Sequence, residues 1–175
     1  MVRCAHSTKE LGMALGHVIY DMLMLLVSLS VHRKRRGSPT FKGLTWGEPQ
    51  IAIEVILLKS RALMDFLSPP PRASDRDIQI KHYGLPPIQL PPPMRQFRES
   101  VNKWSAHLSW QRVRQSAAEA ARPSQADMEE HALWLLRVAY EFVNKALASG
   151  IPLTEERHQR FLSVFRYEIQ NLSKP

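Results

Sequence analysis

Apolar residues recur along this chain at spacings of three and four, the period of an α-helix, and no stretch alternates convincingly as a strand would. The first periodic segment covers about 8–31. Leu11, Leu15, Val18, Met22, Leu26 and Leu29 share one face, and Ser7-Thr8-Lys9-Glu10 ahead of them has the form of a capping box. The second segment is 50–67. It follows Pro49, which suits a first helical turn because the missing N–H would have no helical partner there. At 100° per residue, Ile51, Val55, Leu58, Ala62 and Phe66 form one apolar stripe, and Ile53, Ile56, Leu57, Leu63 and Leu67 cover much of the remaining circumference. A helix apolar nearly all round is expected to be buried. One polar strip interrupts it: Glu54, Arg61 and Asp65 fall within about 40° of one another, with Arg61 and Asp65 four residues apart. Charges on a buried helix need partners, and the strip is expected to face the next helix.

A third helix is predicted over about 95–115, with Phe97, Val101, Trp104 and Leu108 inward. A fourth, 124–148, opens on Ser124 as N-cap, buries Ala132, Leu135, Leu136, Ala139, Phe142, Val143 and Leu147, and ends at Gly150 and Pro152. A fifth, 154–172, starts at Thr154 and spaces Phe161, Val164, Phe165, Glu168 and Leu172 along one face. Between the second and third helices, residues 69–93 hold eight of the thirteen prolines, so this connection is an extended loop that Ile78, Ile80 and Tyr83 are expected to pin to the bundle. The pattern predicts an all-α fold: one up-and-down bundle of about five helices, a single domain over 1–175, with a long Pro-rich loop between helices 2 and 3.

Composition changes this picture little. With 175 residues, 44% apolar and 23% charged, the chain suits one soluble globular domain. The single cysteine, Cys4, excludes an internal disulfide and, alone, a zinc site; the expected setting is the cytoplasm. A net charge of +8 and a pI of about 10.0 favour acidic partners, RNA among them. Residues 11–31 are long enough to span a bilayer, but His17 and Asp21 interrupt the run, so a bundle helix is the expectation and a membrane anchor is not. No small-residue cleavage site follows, as a signal peptide would need. The run His32-Arg33-Lys34-Arg35-Arg36 reads as a solvated basic cap closing the first helix.

The chemistry-bearing motifs are few. There is no phosphate-binding loop, dinucleotide fingerprint, nucleophile elbow or H-E-x-x-H zinc motif. Glu155-Glu156-Arg157-His158 contains one E-x-x-H, whereas a di-iron bundle needs two and two further glutamates. No cofactor and no metal is expected. What remains is Arg61 and Asp65 on the second helix, together with Asn102, Lys103, His107 and Arg112 on the third.

At these residues the chain resembles a family of uncharacterised bacterial all-α proteins. The resemblance rests on Ser60-Arg61-Ala62-Leu63-Met64-Asp65-Phe66-Leu67, on the segment from Asp75 to Tyr83, on Asn102-Lys103-x-x-x-His107-Leu108-x-x-x-Arg112, and on Trp134-Leu135-Leu136. It covers roughly 45–148 and is similar in outline to HEPN domains, small helical bundles of which many cut RNA without metal, often as dimers in toxin–antitoxin or defence systems. The resemblance implies His107 as general acid or base on a ribose hydroxyl or leaving oxygen, an arginine on the phosphate, and Asn102 and Lys103 as backbone or phosphate holders. The active pattern places an arginine directly before Asn102, where this chain has Val101, and Arg98 lies about 180° from His107 on a helical wheel. Arg61, Arg112 or an arginine across a dimer would have to serve instead. The resemblance therefore implies a non-catalytic HEPN-like interaction module first, with Glu54, Arg61, Asp65 and Lys103 as a structural polar network. A metal-independent endoribonuclease using His107, Asn102, Arg61 and Arg112 is the alternative. Either implies a homodimer, RNA or a protein as partner.

Overall fold

The structure is a computed structural model that describes residues 6–36, 47–74, 77–105 and 124–172; within these, the side chains at 34–36, 47–50, 103–105, 166, 170 and 172 are not described. Five α-helices and no strand occur among the described residues: α1 (Thr8–Arg36), α2 (Gly47–Leu67), α3 (Pro92–Ser105), α4 (Gln125–Ala148) and α5 (Glu156–Leu172), with a 3-10 turn at Ile80–Tyr83. The all-α bundle expected from the sequence is the observed fold.

The helix ends follow local chemistry. Glu10 accepts from the backbone and hydroxyl of Ser7 at 2.7 and 2.8 Å, and Glu10 N–H donates to Ser7 Oγ, closing the capping box of α1. Ser124 Oγ accepts from Asp127 N–H at 3.0 Å to cap α4. The same helix ends in a Schellman motif. Gly150 N–H donates to Leu147 O and Ile151 N–H to Ala146 O, with Gly150 at φ 88°, a conformation that strains any residue with a Cβ.

The largest interface is α1 on α2, and α4 packs against both. Leu15, Val18, Met22, Leu26 and Leu29 of α1, Phe97 and Val101 of α3, and the predicted α4 residues up to Val143 are all buried. The Pro-rich connection is held as expected at Ile80 and Tyr83. Tyr83 donates from its hydroxyl to Leu11 O at 3.0 Å and meets Phe66 and Phe142 edge-on. Burial raises its phenol far above the ordinary range. Ile78, expected to be a further pin, is instead an exposed side chain.

Three expectations are corrected. Helix α1 does not stop at Val31 but continues through the basic run to Arg36, and His32 is buried rather than solvated. In α5 the buried face is His158, Phe161, Phe165 and Ile169, spaced three and four apart, so Val164 and Glu168 point outward. The third correction concerns α2. Its buried side is Ala52, Ile53, Ile56, Leu57, Ser60, Leu63, Met64 and Leu67, while Ile51 is 62% and Leu58 54% exposed. The helix is two-sided, and the stripe Ile51, Val55, Leu58, Ala62 lies on its outer side; only Phe66 of the original five is buried.

Candidate functional site

One member of the polar strip of α2, Asp65, meets α3, and its partner there is Arg98. Asp65 Oδ1 accepts from Arg98 Nη2 at 2.5 Å, and Arg98 Nη1 also donates to Ser68 O at 2.7 Å, at the C-terminal end of α2 where a cation is favoured. Arg61 Nε sits 3.6 Å from the other oxygen of Asp65, an i,i+4 contact at the half-exposed rim. Both described arginines at this seam are therefore tied to one carboxylate. Asn102, one turn beyond Arg98, is partly buried and its Oδ1 accepts no hydrogen bond from a described residue. Glu54 lies two turns from Arg61 and is half-buried. The Lys103 side chain, His107 and Arg112 lie outside the described residues. Of the anticipated constellation the structure brings together Arg61 and Asp65, and it adds Arg98.

Two polar arrangements were not foreseen. At the C-terminal end of α1, Arg33 Nε donates to Glu129 Oε2 at 2.9 Å and His32 Nε2 lies 3.5 Å from Glu129 Oε1, with His32 and Glu129 both buried. This ties α1 to the first turns of α4. Near the other end of α1 two clefts share Met13 and His17. One, of about 250 Å³, adds His6, His82, Glu10 and Asp77; the other, of about 400 Å³, adds Tyr20, Thr154, Glu155, Arg157 and His158. His158 is only 6% exposed, and its Nδ1 is buried without a hydrogen-bond partner. Burial lowers its pKa, opposed by Glu155, so the ring is neutral at pH 7. Gly16 makes room for it: a Cβ there would come within 2.9 Å of the imidazole Cε1. Gly12 does the same for the Pro152 carbonyl at 2.5 Å. A glycine pair four apart inside a helix was the sequence signal for this close approach, since each costs helix stability unless packing requires it. Among the described residues, no three His, Cys, Asp or Glu side chains come together in a metal-binding arrangement.

The outer face of the α1–α2 pair is the third feature. On α1, Met13, Tyr20 and Val27 are 45–48% exposed, and Met24 and Val31 are half-buried between and beyond them. On α2 the exposed Ile51 and Leu58 are likewise seven residues apart. The seam between the two helices is closed by Lys59, whose Nζ lies 2.6 Å from Asp21 and 5.3 Å from the Tyr20 ring centre. Compared with protein-family models, curated proteins and solved structures, the chain has no match.

Proposed function

We propose that this protein is a non-catalytic, HEPN-like helical interaction module of the cytoplasm, and that it takes its partner on the outer face of α1 and α2. The observation that carries the reading is the outward apolar pattern: Met13, Tyr20 and Val27 on one helix, Ile51 and Leu58 on its neighbour, each set at seven-residue spacing. Single exposed apolar residues are ordinary, whereas a regular series of them on each of two adjacent helices is the pattern of an interaction site. The ion pairs of Arg61 and Arg98 with Asp65 support the non-catalytic side of the reading, because a guanidinium already neutralised is a poor stabiliser of a phosphorane.

The test has two arms. Mixed RNA incubated with the purified chain in EDTA should stay intact; cleavage that disappears in His107→Ala would replace this reading with the endoribonuclease one. In the second arm, the double variant Val27→Glu, Leu58→Glu should keep the helical circular-dichroism spectrum and unfold within a few degrees of the wild type, since surface changes typically alter stability by about 0.5 kcal/mol or less. Loss of the fold would mean that the face is internal core.

A further inference from the structure

His158 lines the cleft of about 400 Å³ between α1 and the start of α5, yet the ring is only 6% exposed. Its Nδ1 is sealed from solvent with no partner among the described residues, so Nε2 is the nitrogen left to face the cleft. Buried polar side chains in folded proteins are nearly always hydrogen-bonded, and a neutral imidazole can donate or accept. The cleft is of the size of small-molecule sites, roughly 300–1,000 Å³. Its α1 wall is backbone at Gly16 and side chain at His17 and Tyr20; its α5 wall is Thr154, Glu155 and Arg157.

The charges around the cleft select what can enter. Of the described residues lining it, Glu155 and Arg157 carry the formal charges, and they are paired with each other. The hydrogen bond from Arg157 holds the Glu155 carboxyl below its ordinary range, so it is ionised at pH 7. The next charges outward are matched as well: Lys59 with Asp21 beside Tyr20, and Glu156 with Arg160 on α5. With its histidines counted neutral, the cleft is electrically balanced on a chain of net charge +8. A ligand of net charge would break that balance, whereas one carrying both signs keeps it. Each sign has a receptor. The N–H groups of Glu156 and Arg157, the first two of α5, have no carbonyl one turn back to receive them, and the helix dipole favours an anion there. Together with the Arg157 guanidinium they suit a carboxylate. Glu155 suits an ammonium. The Glu155 and Arg157 side chains are 45% and 73% exposed, so each can turn from the other to a ligand without leaving a buried charge unpaired.

We propose that the cleft between α1 and α5 binds a free α-amino acid with an uncharged, hydrogen-bonding side chain. Its carboxylate lies at the start of α5 with Arg157, its ammonium against Glu155, and its side chain reaches inward past Tyr20 to the imidazole of His158. An amide or hydroxyl gives the buried ring a partner; a charged side chain would be desolvated beside it with no counter-ion. Neither Val27 nor Leu58 lines this cleft, so the proposal stands or falls apart from the reading of the outer face.

Nuclear magnetic resonance of the histidine ring nitrogens in the full chain reads the site directly, with the His158 signals assigned by their loss in His158→Gln. L-glutamine should shift them saturably, with a Kd of about 1 mM or tighter. N-acetyl-L-glutamine, which lacks the ammonium, and L-glutamine amide, which lacks the carboxylate, should each bind at least about tenfold more weakly, as should L-glutamate and L-lysine. Arg157→Gln and Glu155→Gln, both at exposed positions, should keep the circular-dichroism spectrum and each weaken L-glutamine about tenfold. The comparison of analogues uses the wild type, so it holds even where a variant fails to fold. Absence of a saturable shift with L-glutamine, L-asparagine and L-serine overturns the proposal. Binding of the acetylated form as tightly as the free amino acid overturns it as well. Inorganic phosphate that shifts the His158 signals where L-glutamine does not would make the cleft an anion site and overturn it too.

Discussion

At the scale of single residues, the anticipated charge cluster changes its centre of gravity. The helical wheel pairs Arg61 with Asp65 because they are one turn apart, but a wheel cannot see which neighbour reaches in from another helix. Arg98 does so, with two donors on α2 and 15% exposure of its side chain, against 37% for Arg61. Arg98→Ala should therefore cost about 1–2 kcal/mol, the lower part of the range for charged hydrogen bonds because Asp65 is partly solvated. Arg61→Ala should cost less than about 1 kcal/mol, and urea unfolding of the two variants checks the order. His158 offers a sharper measurement. Burial depresses its pKa below the ordinary 6.5, so the neutral ring stabilises the folded state above about pH 6.5, and that contribution falls away as pH drops below it. The loss in thermal midpoint between about pH 7.5 and 5.5 should shrink in His158→Gln. An equal loss in both proteins would assign the pH dependence to other groups.

At the scale of elements, what was legible is what local chemistry writes. Ser7 with Glu10, Ser124 with Asp127, and Gly150 fix the helix ends that their residue types predict, because caps depend on residues within one turn. Gly150→Ala should cost about 1 kcal/mol at its positive φ, measurable by denaturant unfolding. Facing was less legible. On α2 the apolar positions surround most of the helix, so periodicity alone had no means of separating the covered half from the open one. On α5 the spacing of Phe161, Val164, Phe165, Glu168 and Leu172 sets Val164 inward, although the run His158, Phe161, Phe165, Ile169 has the same helical period and admits a polar ring at its head. That ring depends on Gly16 of a distant helix. Gly16→Ala should raise intrinsic helix propensity by nearly 1 kcal/mol yet lower stability overall, because the new methyl displaces the imidazole by overpacking. In a His158→Ala background the same substitution should become neutral or stabilising. That reversal, read in a double-mutant cycle, is the signature of direct contact.

At the scale of the whole molecule, the net charge of +8 acts on both readings of function, and in opposite directions. A chain that binds RNA releases condensed counterions, so its affinity falls steeply as salt rises. A second copy taken on the apolar outer face of α1 and α2 brings two like-charged bodies together. Their long-range repulsion is what salt screens, while the apolar contact itself is indifferent to it. Raising ionic strength from about 0.05 to 0.5 M should therefore tighten self-association and weaken any binding to a single-stranded oligonucleotide. The thermal midpoint adds an independent reading without labels. A dimer that forms only from folded chains makes unfolding concentration-dependent by mass action, so the midpoint should climb as protein concentration rises and climb further at high salt. Val27→Glu should flatten the concentration dependence. A wild-type midpoint that is flat across concentration, or that climbs only at low salt, would place the driving force in charge rather than in the outward face of α1.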